Sequence, residues 1–326
     1  MMIFNKWYAI LESKDVPDKR PVGVTRLNEK LVLWRDSKGK ACCIKHQCCH
    51  RGAALELGKV VGDHLQCAFH GFEYDCKGQV KKIPAIGADT LVSSWYGVEH
   101  FTVREEHDFI WLWWGDPNKM TAEIPFFDDL EHPDFSYKSF KDHWPVHYSR
   151  AVENQLDVVH LPFVHHNTIG RGQKTLVNGP VVVRDGNTLI FYVDNQKDHH
   201  QKPLQPEEIE DYKHFPHLKL IFPNIWENII GEKIRVMAAF APIDEENTVV
   251  YIRFYQRFVT VPIMSEWINL MGILYSIVIL RQDKRVVVSQ RPVKSEKGMD
   301  EKLIVGDLPI IEYRNTREAL KKQLKK

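Results

Sequence analysis

Cysteine and histidine occur together in two short segments of this chain. Cys48 and His50 are separated by one residue, Cys67 and His70 are separated by two, and 16 residues lie between the two pairs. Thiolate sulfur and imidazole nitrogen are the ligands that proteins use for zinc and for some iron–sulfur clusters. The spacing therefore predicts a metal site built from two loops, each of which supplies one sulfur and one nitrogen.

The order of these ligands favours iron over zinc. A zinc finger presents its cysteines first and its histidines afterwards, whereas the two types alternate here. Alternation suits a two-iron cluster in which both sulfurs bind one iron and both imidazoles bind the other. The other cysteines are Cys42, Cys43, Cys49 and Cys76. We expect them to be reduced, non-ligating residues, most of them in a β core, because a cytosolic protein keeps its thiols reduced.

A second group of candidate ligands lies near the middle of the chain. Asp157 and His160 are three residues apart, which places them on one face of a helix predicted over 150–161. Pro162 ends this helix and lets the chain bring His165 back towards His160. Two histidines and one carboxylate form the open iron site of non-haem Fe(II) oxygenases.

The carboxylate of this second site is expected far downstream, at Asp283. It directly follows the apolar run 267–280, and a carboxylate that continues a buried face is costly unless a charged group satisfies it. An iron ion would satisfy it. Asp300 and Asp307 lie in polar surroundings and are the alternatives, as His166 is to His165.

Both ligand loops resemble those of the Rieske [2Fe–2S] family. The matching stretches are CCHRG (48–52) and CAFHGF (67–72). The family usually has proline where this chain has Cys49 and Ala68, but neither position is a ligand. Respiratory Rieske proteins clamp these loops with an extra disulfide. Phe69 stands at the partner position, so we expect no such clamp.

The middle segment resembles the catalytic motif of the Rieske non-haem iron oxygenases. Asn154, Asp157, His160 and His165 fall at that family's spacing. The resemblance implies that both histidines and Asp283 bind a mononuclear Fe(II). It also implies that Asp157 is the bridging carboxylate and Asn154 the nearby amide. Glu153 is then a residue that supports the ligands or the fold.

The resemblance implies the oxygenase component of a multi-protein system. Electrons would come from NAD(P)H through a separate reductase, with or without a ferredoxin. The pattern ENQLDVVH (153–160) and the compact length are similar to the monooxygenase and O-demethylase branch, which includes the dicamba and vanillate demethylases. Hydroxylation or oxidative demethylation of an apolar aromatic or polycyclic substrate is expected. Ring cis-dihydroxylation is the alternative reaction, and a Rieske-type electron carrier without mononuclear iron is the alternative of another class.

The hydrophobic pattern predicts two domains. Short strands with turn signals occupy residues 6–115, which favours an all-β Rieske domain over 1–117. We expect an α+β catalytic domain over 118–326, an antiparallel sheet packed against helices in a helix-grip-like arrangement. The predicted elements of that domain are strands over 180–193, 217–226, 233–242 and 248–259, a long helix over 264–290 and a tail helix over 315–325. Pocket residues are expected from 217–240 and 264–280.

Composition excludes some classes of function and leaves others. The chain has 44 basic and 43 acidic residues, a formal net charge of +1, so no global attraction to nucleic acid or to an anionic membrane is expected. No secretory signal is recognisable, and the apolar run 267–280 is shorter than a bilayer span. We expect that run to be a buried helix and the protein to be cytoplasmic. Members of the family form head-to-tail homotrimers, which implies the same assembly here.

Overall fold

The computed structural model describes residues 2–87 and 89–322. They form two compact units, which are considered separately. One consists of Phe4–Ile124 and Ala241–Asp244, and the other contains most of the remaining chain. This division into units does not test the predicted domain boundary between residues 117 and 118, which stays a prediction.

The first unit consists of short antiparallel strands. Their bounds are Lys6–Glu12 (β1), Val22–Arg26 (β2), Glu29–Arg35 (β3), Ala41–Lys45 (β4), Lys59–Val61 (β5), His64–Gln66 (β6), Glu73–Tyr74 (β7), Val80–Lys82 (β8), Val103–Glu106 (β9) and Phe109–Trp114 (β10). They pair into three sheets with the orders β1-β10-β9, β2-β3-β4 and β5-β6-β7-β8. The predicted all-β architecture is confirmed.

The two predicted ligand cysteines belong to the apolar core of this unit. Cys48 and Cys67 are buried in one cluster with Val32, Trp34 and Tyr74. This cluster fills the space between the β2-β3-β4 sheet and the small four-stranded sheet. The loops that start at the two cysteines are therefore anchored by hydrophobic packing at their first residue.

Cys42 and Cys76 form a disulfide, with their Cα atoms 5.0 Å apart. The prediction that both are reduced core residues was wrong. Cys42 lies in β4 and Cys76 in the turn between β7 and β8, and both pack against the same apolar cluster. The bridge joins the strand before the first ligand loop to the hairpin after the second. Cys43 is a buried free thiol, and burial raises its pKa, which keeps it protonated.

The second unit contains a seven-stranded antiparallel sheet. Its strands are Ser136–Trp144 (β11), Leu176–Asp185 (β12), Thr188–Gln196 (β13), His217–Ile221 (β14), Ile225–Ile230 (β15), Ile234–Pro242 (β16) and Thr248–Gln256 (β17). Their spatial order is β11-β17-β16-β15-β14-β13-β12. Apart from the first strand, neighbours in the sheet are neighbours in sequence, as in a meander of hairpins. The predicted α+β fold is confirmed.

Two of the predicted strands are in fact hairpins. Residues 180–193 were expected to form one strand, but a two-residue turn at Gly186 and Asn187 divides them into β12 and β13. Gly186 adopts a φ of 54°, a conformation that glycine reaches without steric cost. Residues 217–226 are divided in the same way, because Phe222–Asn224 separates β14 from β15.

Four helices accompany the sheet within the described residues. They are Tyr148–Leu156 (α1), Leu161–Val164 (α2), Pro262–Val287 (α3) and Leu308–Lys322 (α4). The long helix agrees with its predicted position to within a few residues. The tail helix begins earlier than expected, and the end of its predicted range lies outside the described residues.

The helix predicted over 150–161 was wrong in its second half. Helix α1 ends at Leu156, and the Asp157 side chain takes over the next backbone donors. Its Oδ1 accepts hydrogen bonds from the N–H groups of Val159 at 2.7 Å and His160 at 3.2 Å. Such local bonds compete with helix continuation. Pro162 does not end α1, because it lies in the first turn of α2. Proline is tolerated there, since the N–H that it lacks would have no acceptor within the helix.

Helix α3 is only partly buried, contrary to expectation. Trp267 and Met271 are 64% and 63% exposed, and Leu274 and Val278 are also exposed. By length and composition alone, this helix of 26 residues, in which an 18-residue window has a mean hydropathy of 1.7, could cross a membrane. Its opposite face packs on β11 and β17 and buries Asp283. The sheet therefore holds α3 along one face.

Gly272 lets α3 approach the sheet closely. A Cβ atom added at this position would lie 2.2 Å from Cε1 and 2.6 Å from Cζ of Phe254. Contacts this short force the ring or the helix to move. Since Phe254 is on β17, the separation of α3 and β17 depends on the absence of a side chain at residue 272.

We expect Gly272→Ala to destabilise the protein by about 1–3 kcal/mol, the usual cost of overpacking a core. Denaturant unfolding measures this cost. The matched control is Arg285→Ala, an exposed residue of the same helix, which should change stability by less than about 0.5 kcal/mol. Equal stability of the two variants would contradict the close contact.

Candidate metal centres

The two cluster loops follow the same backbone path. In each, the cysteine N–H donates to the carbonyl five residues later, and a glycine four residues later donates back to the cysteine carbonyl. These distances are 2.9 and 2.9 Å in the loop of Cys48 and Gly52, and 2.8 and 3.1 Å in the loop of Cys67 and Gly71. The φ angles of Gly52 and Gly71 are 70° and 74°. Two equivalent turns thus present the predicted ligands.

The predicted sulfur ligands are more deeply buried than the predicted nitrogen ligands. Cys48 and Cys67 are 4% and 2% exposed, whereas His50 is exposed and His70 is half-buried. The two imidazole rings are near each other, with centroids 4.5 Å apart, and His50 stacks on Phe72. A two-iron cluster with one sulfur-ligated and one nitrogen-ligated iron fits this arrangement.

Tyr74 is a neighbour of the cluster site that sequence reasoning missed. Its hydroxyl donates to Cys48 Sγ at 3.1 Å and accepts from the Cys49 N–H at 3.0 Å. Cys49 Sγ lies 3.2 Å from the same oxygen. Burial raises the pKa of Tyr74 well above its ordinary value, so the hydroxyl keeps its proton. Tyr74 lies 26 residues from Cys48, and no local pattern signals the contact.

The second predicted site brings two histidines and one carboxylate together. Nε2 of His160 and Nε2 of His165 are 3.2 Å apart. Oδ1 of Asp283 lies 2.9 Å from His165 Nε2 and 3.4 Å from His160 Nε2. These three ligand atoms form a group that could hold one metal ion.

Helix α2 accounts for the meeting of the two histidines. His160 precedes its first residue and His165 follows its last, so one short turn of helix separates them. Asp283 comes from the last turns of α3, within the predicted range of the long helix. A local turn therefore supplies two of the candidate ligands, and a long-range contact supplies the third candidate.

The Asp283 carboxylate supports a cation at this site. The residue is 3% exposed, and its Oδ1 lacks a hydrogen-bond partner of acceptable geometry despite the short distances to both imidazoles. Burial raises the pKa of Asp283, but the two histidines outweigh burial and hold that pKa below its usual value. A charged, buried carboxylate needs a positive partner. The donor set, two nitrogens and one carboxylate, fits Fe(II) with open positions.

Gln282 fixes the orientation of one ligand. Its Oε1 lies 2.8 Å from His165 Nδ1 and accepts a hydrogen bond from Thr168 Oγ1 at 2.9 Å. Because an amide oxygen only accepts, the proton of His165 is on Nδ1, and Nε2 is free to bind a metal. Sequence reasoning missed Gln282, although its position beside Asp283 was an available signal.

The remaining predicted site residues lie on or after α1. Asp157 Oδ1 is 3.6 Å from His160 Nδ1, and Nδ2 of Asn154 is buried without a hydrogen-bond partner. Glu153 is not part of the metal group. It forms a two-point ion pair with Arg314, with both N–O distances 2.8 Å, and so ties α1 to α4.

The alternative ligands do not reach the site. His166 is exposed, and its Nδ1 lies 3.0 Å from the Phe163 carbonyl oxygen. Asp300 pairs with Lys302. Asp307 accepts a hydrogen bond from the Ile304 N–H at 2.9 Å.

A cavity of about 410 Å³ opens onto the second metal group. His160, His165 and Asp283 line it together with mostly apolar side chains. Both ranges predicted to supply pocket residues contribute, for example Trp226 and Ile279. The segment around α1, which holds predicted site residues, also contributes. Strand β17 contributes as well, and the sequence did not indicate that strand.

Comparison with known proteins decides the family. Residues 6–101 match the Rieske [2Fe-2S] domain, and residues 144–323 match the vanillate O-demethylase oxygenase C-terminal domain. The chain belongs to the Rieske non-haem iron oxygenases, in the vanillate O-demethylase branch. Members of this family are oxidoreductases with a [2Fe–2S] cluster in the first domain and mononuclear iron in the second.

Named relatives support this membership. A vanillate O-demethylase oxygenase subunit of Pseudomonas sp. strain HR199 is 32% identical over 195 residues, which cover 59% of this chain and 53% of that protein. The iron–sulfur subunit of a toluene-4-sulfonate monooxygenase system from Comamonas testosteroni is 30% identical over 190 residues, with coverages of 57% and 52%. The chain spans about half the length of these curated relatives.

Solved structures of low identity share the fold. NdmA of Pseudomonas putida CBB5 superposes with a TM-score of 0.82 at 22% identity and covers 98% of this chain and 91% of its own. Dicamba monooxygenase bound to dicamba superposes with a TM-score of 0.78 at 20% identity, with coverages of 99% and 98%. The likeness extends over both units of this Rieske oxygenase.

We expect Tyr74→Phe to lower the reduction potential of the cluster by on the order of tens of millivolts, because a hydrogen bond to a ligand sulfur stabilises the reduced cluster. Redox titration followed by circular dichroism or EPR measures the shift. Cys49→Ala is the control, since it removes the thiol beside Tyr74 and keeps the bond to Cys48. A potential unchanged in Tyr74→Phe would contradict the role of this hydroxyl.

Proposed function

We propose that this protein is the terminal oxygenase of a Rieske system and monooxygenates an apolar organic substrate by hydroxylation or oxidative demethylation. The observation that carries the proposal is a two-histidine, one-carboxylate group at the wall of a mostly apolar cavity. An electron carrier would need neither the cavity nor this group. The names of the relatives, which refer to demethylation and monooxygenation, favour these reactions over ring cis-dihydroxylation.

The residues divide between the two metal centres. Cys48, His50, Cys67 and His70 would hold the [2Fe–2S] cluster. His160, His165 and Asp283 would hold Fe(II), with Asn154 and Asp157 beside it. When bound, the two centres supply electron transfer and the activation of O2, respectively. The chain itself holds the ligands in place, fixes the His165 tautomer through Gln282 and provides an apolar site for the substrate.

The electrons would come from a partner protein. We propose an NAD(P)H-dependent reductase as their source, with or without a ferredoxin, and a cytoplasmic location. His50 is exposed and His70 is half-buried in their unit, so a donor protein can approach the nitrogen-ligated side of the cluster.

We propose that the protein forms a head-to-tail homotrimer in which Asp157 joins the two centres. The Asp157 side chain is 29% exposed and lies beside His160, so its carboxylate can also accept a hydrogen bond from His70 of the partner subunit. The exposed apolar residues of α3 favour an assembly as well, because large apolar patches on soluble proteins usually mark contacts. A cyclic heterologous contact closes into such a ring.

We expect Asp283→Ala to lose mononuclear iron and O2-dependent turnover, because the two histidines alone leave a weak metal site. The iron content should fall from about three to about two irons per two acid-labile sulfides, while the visible Rieske spectrum stays unchanged. Asp300→Ala is the control and should behave as wild type. Full activity in Asp283→Ala would show that another carboxylate is the ligand.

Asp157→Asn should keep the fold, the cluster colour and the iron content, yet slow the oxidation of the reduced cluster by O2 in the presence of substrate by about tenfold or more. An amide can accept one of the two imidazole N–H groups but carries no charge to orient both. Stopped-flow absorbance follows the oxidation, and light scattering reports the assembly. A monomer with undiminished turnover, or wild-type oxidation in the variant, would rule out this path.

A further inference from the structure

The strands that line the cavity direct alternate side chains towards it. On β15, Trp226 and Asn228 line the cavity, as do Ile252 and Phe254 on β17. Because successive residues of a strand point to opposite faces, the residues between them point away. The strand register keeps these positions on one face, since Asn228 pairs with Val236, another lining residue.

Basic residues of these strands lie on the other face of the sheet. Each of three basic residues is next in sequence to a residue that lines the cavity: Lys219, Arg235 and Arg253. Arg235 Nε donates to Asp129 Oδ2 at 2.7 Å, and Lys219 Nζ lies 3.6 Å from the same carboxylate. The Arg253 guanidinium stacks on Tyr137 at 4.5 Å from the ring centroid. Their charges are therefore engaged away from the cavity.

Apart from the two metal-site histidines, the described lining of the cavity carries acids and no permanently charged base. Among the residues the structure describes, no lysine or arginine lines it, whereas Asp157 and Asp283 do. Lys284, the neighbour of Asp283, pairs with Asp142 at 2.9 and 3.0 Å. A divalent cation held by the histidines and Asp283 would be balanced by the two carboxylates. The wall therefore offers no net positive charge to an anionic substrate.

Two residues of the lining carry neutral hydrogen-bond donors that have no partner. Trp226 lines the cavity, and its indole Nε1 is buried without an acceptor. The same holds for Nδ2 of Asn154. Both nitrogens are buried in the free cavity. Because buried donors are usually satisfied, we infer that a small rotation of one of these side chains brings its donor to an oxygen of a bound molecule.

From these observations we propose that the substrate is an uncharged apolar molecule with a hydrogen-bond acceptor, such as a carbonyl or ether oxygen, and that aromatic carboxylates and sulfonates are rejected. This inference rests on the proposed function and narrows its substrate class. The proposed substrate is uncharged, whereas the names of two relatives refer to the anions vanillate and toluene-4-sulfonate. Trp226 is the specificity-determining donor.

The test is equilibrium binding of matched ligand pairs. Aromatic carboxylic acids with one to four rings are each paired with the corresponding primary amide, which has nearly the same shape and no charge. Calorimetry is performed anaerobically at neutral pH on the oxidised protein loaded with the cluster and Fe(II). We expect amides to bind and their carboxylates to bind at least about a hundredfold more weakly, given the cost of burying an unpaired charge. Carboxylates that bind as tightly as their amides, or a panel in which no amide binds, would overturn the proposal.

Two lysine variants test whether the cavity wall causes the preference for amides over carboxylates. Ile252→Lys places a cation on the cavity face of β17 and should shift the ratio towards the carboxylate by about tenfold or more. Val183→Lys is the matched control on β12, outside the cavity lining, and should leave the ratio unchanged. Thermal unfolding checks that both variants fold. A ratio that changes equally in both would overturn the assignment to the wall.

A second pair of variants tests whether Trp226 donates a hydrogen bond to the ligand. Trp226→Phe should weaken amide binding by about three- to tenfold, the range of one neutral hydrogen bond, and should leave the binding of an acceptor-free aromatic hydrocarbon unchanged. Trp144→Phe removes another buried, unpartnered indole N–H outside the cavity lining and should alter neither. Equal loss for both ligands would mean that Trp226 contributes packing only. Since no turnover is required, a protein that binds amides but never consumes O2 would refute the oxygenase and leave the binding preference intact.

Discussion

A buried carboxylate beside two imidazoles is the constraint on which the catalytic unit depends. Asp283 is 3% exposed and has no adequate hydrogen bond at Oδ1, so without a cation its charge would oppose folding. With a cation, it ties α3 to the short helix between His160 and His165. Gly272 lets the same helix reach Phe254. Metal binding by this group would therefore be coupled to the docking of α3, as in other proteins whose metal site brings distant segments together.

The candidate ligands could be proposed from the sequence because their spacing is local. Cys48 with His50, Cys67 with His70, and His160 with His165 each lie within one short turn, so residue type and separation suffice. The path between Asp157 and Pro162 was predicted less well, since helical periodicity continues through a segment where the Asp157 side chain binds the backbone. Asp283 was proposed from the cost of its burial, and it lies within α3, as the predicted helix range 264–290 implies.

Features that depend on tertiary contacts could not be predicted in this way. Cys42 and Cys76 are 34 residues apart, and only the packing of β4 against the β7–β8 hairpin brings them together. The hydrophobic run of α3 indicated a helix, but composition does not tell which of its faces meets the sheet. Trp267 and Met271 proved exposed. Tyr74 and Gln282 were missed for the same reason, because each acts through a contact with a ligand that a single sequence does not reveal.

Charge selection in the cavity follows from strand register rather than from any one residue. Lys219, Arg235 and Arg253 lie next in sequence to residues that line the cavity, and only alternation keeps them out of it. A slip of one residue on β17 would exchange Phe254 for Arg253 and reverse the electrostatic character of the wall. The ion pairs of Asp129 with Lys219 and Arg235 therefore do more than satisfy buried charges. By holding cations on the far face they favour the register that keeps lysine and arginine out of the described cavity lining. If the proposed substrate preference holds, the sheet that carries the cavity would also set the class of molecule that binds in it.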